Sequence, residues 1–214
     1  MVRPMKRGII FLLIGTLFGL NLIDSLHAES LLYTSLKRGV SIRGISMGNA
    51  ATAYPYGPDS IFYNPAGLSA SGTMYRYDNI DYNHANLSQS YSNLFYKAPF
   101  GFSSWRQENA SGDIVDVAAV GYGKRNKNGV DWGVSYKTVT STTSSGEEKG
   151  WSADIGTLVH FTRNIDLGFV ASDFLSRDVT IPSTYRAGIA LFNDSRSFVI
   201  TSDLYFDRPG DGVL

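Results

Sequence analysis

From residue 73 onward, apolar and polar side chains alternate with a period of two. The clearest stretch is 151–162. Trp151, Ala153, Ile155, Thr157, Val159 and Phe161 fall on one side, and Ser152, Asp154, Gly156, Leu158, His160 and Thr162 on the other. Successive side chains of a strand point to opposite faces, so this pattern predicts a strand with one apolar and one polar face. The alternation recurs from Val130 (Val130, Trp132, Val134, Tyr136 against Asp131, Ser135, Lys137) and from Asn164 (Ile165, Leu167, Phe169, Ala171 against Asp166, Gly168, Ser172). It recurs again from Thr184 (Tyr185, Ala187, Ile189, Leu191 against Arg186, Gly188) and from Ser197 (Phe198, Ile200, Leu204, Phe206 against Thr201, Asp203, Tyr205). Weaker patterns at 73–82, 91–100 and 114–124 bring the expected total to about eight strands of roughly ten residues, the length that crosses a bilayer at a tilt. Strands of soluble proteins are typically about half as long.

The connections add a topology. Asn126-Lys127-Asn128-Gly129 carries an Asn-Gly hairpin signal, and Arg163-Asn164 and Asn193-Asp194-Ser195 read as equally tight turns. Longer loops are expected at 141–150 and 175–183. Alternating short and long connections fit a membrane barrel with short turns at one end. With this strand count the short turns follow odd-numbered strands, whereas a chain entering from the periplasmic side places them after even ones. A strand missed or merged between 78 and 113 restores the parity.

Residues 29–72 have no sustained period. Leu31, Leu32 and Leu36 suggest a short helix ending near Gly39, and Gly44, Gly48, Ala50, Ala51 and Ala53 form a tract with little side-chain volume, suited to close packing. Asn64 precedes a proline and is biased away from helix, while Pro65 can open a helical turn through Ala66 and Gly67. Ahead of this segment, Arg3, Lys6 and Arg7 precede an apolar run at 9–20 and a Ser25-Leu26-His27-Ala28 cleavage signal. That order predicts a cleaved signal peptide over 1–28; the run is shorter than the roughly 20 residues of a spanning helix.

Composition then narrows the classes. Aromatics make up 13% of the chain and charged residues 18%, with 22 Gly and no Cys. Few charges with many Tyr, Phe and Gly suit an all-β chain, membrane barrel or soluble sandwich alike. Without residues 1–28 the chain keeps 16 basic and 18 acidic residues, so it lacks a basic footprint for nucleic acid. The absence of Cys excludes thiol catalysis and Cys-ligated metal. His84, expected in a loop, and His160 do not form a metal-ligand spacing, and no Ser sits in a nucleophile elbow. Neither a catalytic residue, a metal nor a cofactor is expected.

The stretch 43–68, RGISMGNAATAYPYGPDSIFYNPAGL, resembles the segment that opens the mature chain of FadL-like outer-membrane barrels (long-chain fatty-acid transporters) and their PorV/PorQ-like relatives. The resemblance rests on Arg43, Gly44, Met47, Gly48, Ala50, Ala53, Asp59, Tyr63, Asn64, Pro65, Ala66, Gly67 and Leu68. It extends to 181–207 through Pro182, Gly188 and Asp203. It implies a transmembrane antiparallel β-barrel in the bacterial outer membrane, with 29–72 as a plug or hatch inside and 73–214 as barrel strands. A barrel of about eight strands is filled by its own side chains and does not also hold a plug of roughly 40 residues, so part of a longer barrel is expected. The implied function is passage of hydrophobic solutes such as fatty acids, opened by a change near the NPAGL turn. Asp154, His160, Arg186 and Asp203 are the lumen-facing candidates, with wetting of the interior as their simplest role. A second reading is a PorV-like partner that binds secreted client proteins, and a third a soluble periplasmic β-sandwich. An enzyme is not expected.

Overall fold

The structure is a computed structural model that describes residues 39–84, 87–177, 181 and 183–207. The expected signal peptide, the helix at 31–36, Pro182 and residues 208–214 lie outside the described residues. Nine strands form one antiparallel sheet in sequential order. They are β1 (Thr73–His84), β2 (Leu87–Lys97), β3 (Phe100–Glu108), β4 (Ile114–Lys124), β5 (Val130–Thr143), β6 (Gly146–Thr162), β7 (Ile165–Arg177), β8 (Thr184–Phe192) and β9 (Val199–Asp207). The chain is therefore all-β, with β1 and β9 at the edges of the sheet, and its helices are few and short.

The strand count differs from the sequence expectation in one place. The stretch 91–100 is not one strand: β2 ends at Lys97, Ala98 and Pro99 make the turn, and Phe100 opens β3. Proline lacks the N–H that a ladder needs, so it stops pairing. The extra strand moves the expected short turns after β2, β4, β6 and β8, but the alternation of short and long connections is not kept: only residues 144 and 145 join β5 to β6, fewer than join β4 to β5 or β8 to β9. Two expected loops are also strand. The stretch 141–150 is the tip of a long hairpin with Thr143 opposite Gly146, and His84 ends β1 opposite Leu87. The Ser, Thr, Glu and Lys of this tip look like loop residues, but a ladder is held by backbone bonds that do not depend on side-chain polarity.

The five clearer alternations, on β5 to β9, each map onto two faces. On β6, Ser152, Asp154, Gly156 and Leu158 are buried, and Ile155 and Phe161 are exposed at 44% and 52%. Residues 39–72 cover the buried face, here the inner face, with a five-residue helix at Ile42–Ser46, one helical turn at Ser60–Tyr63 and a 3₁₀ turn at Pro65–Ser69. The apolar core lies between them: Ile61, Leu68, Leu94, Trp105, Val115, Val117 and Val139 are all buried. The largest apolar side chains of the opposite face point outward and are uncovered.

Candidate functional site

Asn64 and Pro65 set the geometry of the segment. Asn64 is extended (φ −163°, ψ 105°), the conformation favoured before proline. Its Oδ1 accepts from Ala66 N at 3.1 Å, capping the 3₁₀ turn that Pro65 opens. Its Nδ2 donates to Thr52 O at 2.8 Å and to Thr157 O on β6 at 3.0 Å. One fully buried side chain thus closes the turn, ties the segment to itself and ties it to the sheet.

The sheet receives the segment on glycines. Gly123, Gly133 and Gly156 sit opposite one another across β4, β5 and β6, and Gly168 pairs with Gly188 across β7 and β8. A Cβ at Gly123 would strike Ser69 N, at Gly133 Pro65 O, at Gly156 Asn64 Oδ1, at Gly168 Thr52 O, and at Gly188 Asp203 Oδ1. Leu68 lies over Gly101 and Gly121 on β3 and β4. The backbone of the segment therefore rests directly on the backbone of successive strands, a distance only glycine permits. Within the segment, Gly44 lies against the Tyr63 ring, Gly67 against the Pro55 carbonyl, and Gly48 (φ +62°) follows the first helix.

Ionic contacts secure both flanks. Asp59, fully buried, accepts from Ser41 Oγ at 2.8 Å and pairs with Arg76 Nη2 of β1 at 3.0 Å and Arg43 Nη1 at 3.5 Å. Arg43 also donates to Tyr54 O at 2.6 Å. Asp78 of β1 accepts from Ile42 N at 3.1 Å. On the other flank Asp203 Oδ2 accepts from Thr52 N at 3.0 Å, Arg186 Nη2 donates to Phe62 O at 3.1 Å, and Tyr205 OH donates to Asn49 O at 2.9 Å. At the short-turn end, Ser69 Oγ donates to Asp131 Oδ2 at 2.6 Å. The Tyr63 phenol donates to Asn49 Oδ1 at 3.1 Å and accepts from Val40 N at 3.3 Å. Burial, with the Asp59 carboxylate adding to it, pushes that phenol up to about 12.

All four lumen-facing candidates lie on the inner face, in three settings. Arg186 and Asp203 hold the segment. Asp154 belongs to a buried ionic triad with Lys137, whose Nζ lies 2.8 Å from Asp154 and 2.7 Å from Asp173; Ser135 Oγ also donates to Asp154 at 3.0 Å. His160 bridges Asp166 at 2.9 Å and Asp131 at 3.4 Å beside the short turns. Ser69 bonds the Asp131 carboxylate, so it is not paired with the imidazole as a nucleophile would be. Among the described residues no cluster of His, Asp and Glu could hold a metal ion. A small cavity of about 60 Å³ lies between the segment and the strands, lined among others by Tyr63, Lys137, Asp173, Arg186 and Tyr205.

Sequence reading missed Asp173 and the glycine stripe. Strict alternation from Ile165 sends residue 173 outward, but a bulge shifts the β6–β7 register between Ala153 and Ile155, and Asp173 (φ +54°) turns in beside Ser172. The glycines did carry a signal: β4 to β8 each place a Gly among their polar-face positions.

The outer face is the second half of the site. Phe100, Tyr122 and Trp132 form an aromatic row near the short turns, with ring centroids 5.4 and 5.8 Å apart. Tyr136 and Trp151 stack at 5.7 Å farther along. On β6 the outward residues from Trp151 to Phe161 span about 33 Å of strand, or about 25 Å at a tilt near 40°, which is the height of the apolar band of a membrane barrel. No helix among the described residues is long and apolar enough to cross a membrane, and this leaves spanning by strands untouched. Comparison with protein-family models, curated proteins and solved structures returned no match.

Proposed function

We propose that β1–β9 form a wall of an outer-membrane β-barrel, with residues 39–72 resident on its lumen side as a plug. The observation that carries this reading is the inversion of β5–β8, with buried Asp, Lys and Gly facing the segment and uncovered Val, Ile, Phe and Trp facing away. Such a surface is the expected one where lipid is the solvent. The edge strands β1 and β9 need pairing in hydrocarbon, where unpaired backbone is not viable; pairing with each other, with further strands or with other copies of the chain supplies it.

By the resemblance to FadL-like barrels, the function is passage of hydrophobic solutes such as fatty acids. The packing supports an opening at residues 39–49 in preference to the NPAGL turn. Asn64 to Leu68 are fully enclosed on glycines, whereas Ile42, Ser46 and Gly48 are exposed and the cavity lies beside them. By the same resemblance the alternative is a PorV-like partner in protein secretion, with the wall as a platform for a client protein. Reconstitution of residues 29–214 into liposomes separates the readings. Uptake of a labelled fatty acid that rises when Asp59→Ala loosens the 39–49 region supports transport. Stable insertion without uptake in either form removes transport and leaves the platform. A mature chain that stays in the aqueous phase contradicts both.

A further inference from the structure

The outer face is not uniform, and the exception lies on β1–β4. Asn93, Ser104 and Ala118 stand in one register row across β2, β3 and β4. Tyr75 OH donates to Asn93 Oδ1 at 3.0 Å, and Asn93 Nδ2 donates on to Ser104 Oγ at 3.4 Å. One row farther, Arg106 forks onto Asp116 through Nε at 2.7 Å and Nη2 at 2.8 Å, with the two side chains 55% and 39% exposed. Phe100 marks the aromatic row on β3. From it Ser104 lies about 10 Å and Arg106 about 15 Å up a tilted strand, inside an apolar band about 25 Å tall. At the same distance from Phe161 on β6 stand Thr157 and Ile155.

If the membrane reading above holds, this row is at a depth where lipid offers nothing to a guanidinium, a carboxylate or an amide. We propose that the outer face of β1–β4 is covered by the same face of a second copy of this chain. The occupant follows from the charge pattern. The outward positions of β1–β4 carry Lys97, Arg106 and Lys124 against Asp81, Glu108 and Asp116, together with donors and acceptors, so the face has no net charge. A partner selected by charge would call for one sign. A two-fold contact, in which residue i meets j and j meets i, needs a surface that offers both signs of charge, as this one does. Ser104 and Ala118 supply a low floor between the Phe95–Phe102 contact and the Arg106–Asp116 pair, so two sheets can approach closely.

The test uses residues 29–214 in liposomes and in mild detergent. The chain has no cysteine, so Ser104→Cys gives a single disulfide reporter and Ile155→Cys its control on β6, outside the patch. The proposal expects oxidation to link Ser104→Cys copies into a species of twice the chain mass at least tenfold more than Ile155→Cys copies. Arg106→Asp alone and Asp116→Arg alone should each lose the dimer, because each wall then carries two like charges. Mixing those two variants should restore it, since one wall then offers two carboxylates and the other two guanidinium groups. An inserted chain that stays monomeric, with Ser104→Cys modified from the lipid phase as fast as Ile155→Cys, overturns the proposal and spares the membrane reading. Cross-linking in intact membranes to a protein other than this chain also overturns it. A chain that does not enter liposomes overturns the membrane reading and this proposal together.

Discussion

Asp154 and Ile155 are neighbours in sequence and lie on opposite faces of the sheet. Asp154 is 1% exposed and paired with Lys137, while Ile155 is 44% exposed with nothing covering it. A buried carboxylate beside an uncovered Ile reverses the usual order of a water-facing strand. The difference teaches that the strands carry two surfaces: a crowded inner one that brings backbone to backbone, and an outer one whose large apolar side chains are left uncovered. Inside, charge is tolerated because each buried group meets an opposite one. Outside, apolar bulk stands uncovered, and on the proposed membrane reading lipid takes the place of water there.

The inner side of the comparison breaks most severely at Lys137. Lys137→Met leaves Asp154 and Asp173 facing each other, and loss of one member of a buried ion pair typically costs about 3–5 kcal/mol. Urea unfolding in detergent or liposomes should register it. The outer side breaks at Ile155. Ile155→Arg should cost about 2–4 kcal/mol near the midplane of a bilayer, against within about 0.5 kcal/mol for an exposed site in water. The same unfolding measurement, made beside Ile155→Ser, separates the two cases.

Gly156 sharpens the comparison from within the stripe. Gly156→Ala sets a Cβ against Asn64 Oδ1 and should cost about 1–3 kcal/mol as overpacking, and protease accessibility of residues 39–72 should rise with it.

The smallest effect belongs to Tyr63. Below pH 10 its phenol is protonated both folded and unfolded. Because burial raises the folded value from 10 to about 12, only the unfolded chain ionises between those limits, so stability falls as pH rises through that window. Tyr63→Phe should cost about 1 kcal/mol at neutral pH through its lost hydrogen bonds, and should reduce the fall between pH 10 and 12.

What could be read in the sequence follows the same division. The faces of β5 to β9 were legible because Trp151 to Phe161 and Val130 to Tyr136 alternate without interruption, and a period of two has one structural meaning. The Asn64-Pro65 turn was legible because both residues restrict the backbone locally. β3 was not, because Gly101, Ser103 and Ser104 blur its alternation and Trp105 and Gln107 face inward. The ladder with β2 and β4 makes it a strand. Asp173 was hidden because a bulge is a property of two strands at once. The partners of Asp59 and Asp203 were hidden because contacts spanning 17 and 151 residues leave no local trace.

The central claim is that the outer face meets lipid and the inner face does not. The chain carries three tryptophans, Trp132 and Trp151 outside and Trp105 buried inside with its Nε1 donating to Ser90 Oγ at 2.8 Å. Three variants that each keep one tryptophan, with Phe at the other two positions, report the faces separately in liposomes of brominated lipid. The account predicts strong quenching of Trp132 and Trp151 and none of Trp105. Equal quenching of all three, or none of any, would contradict it.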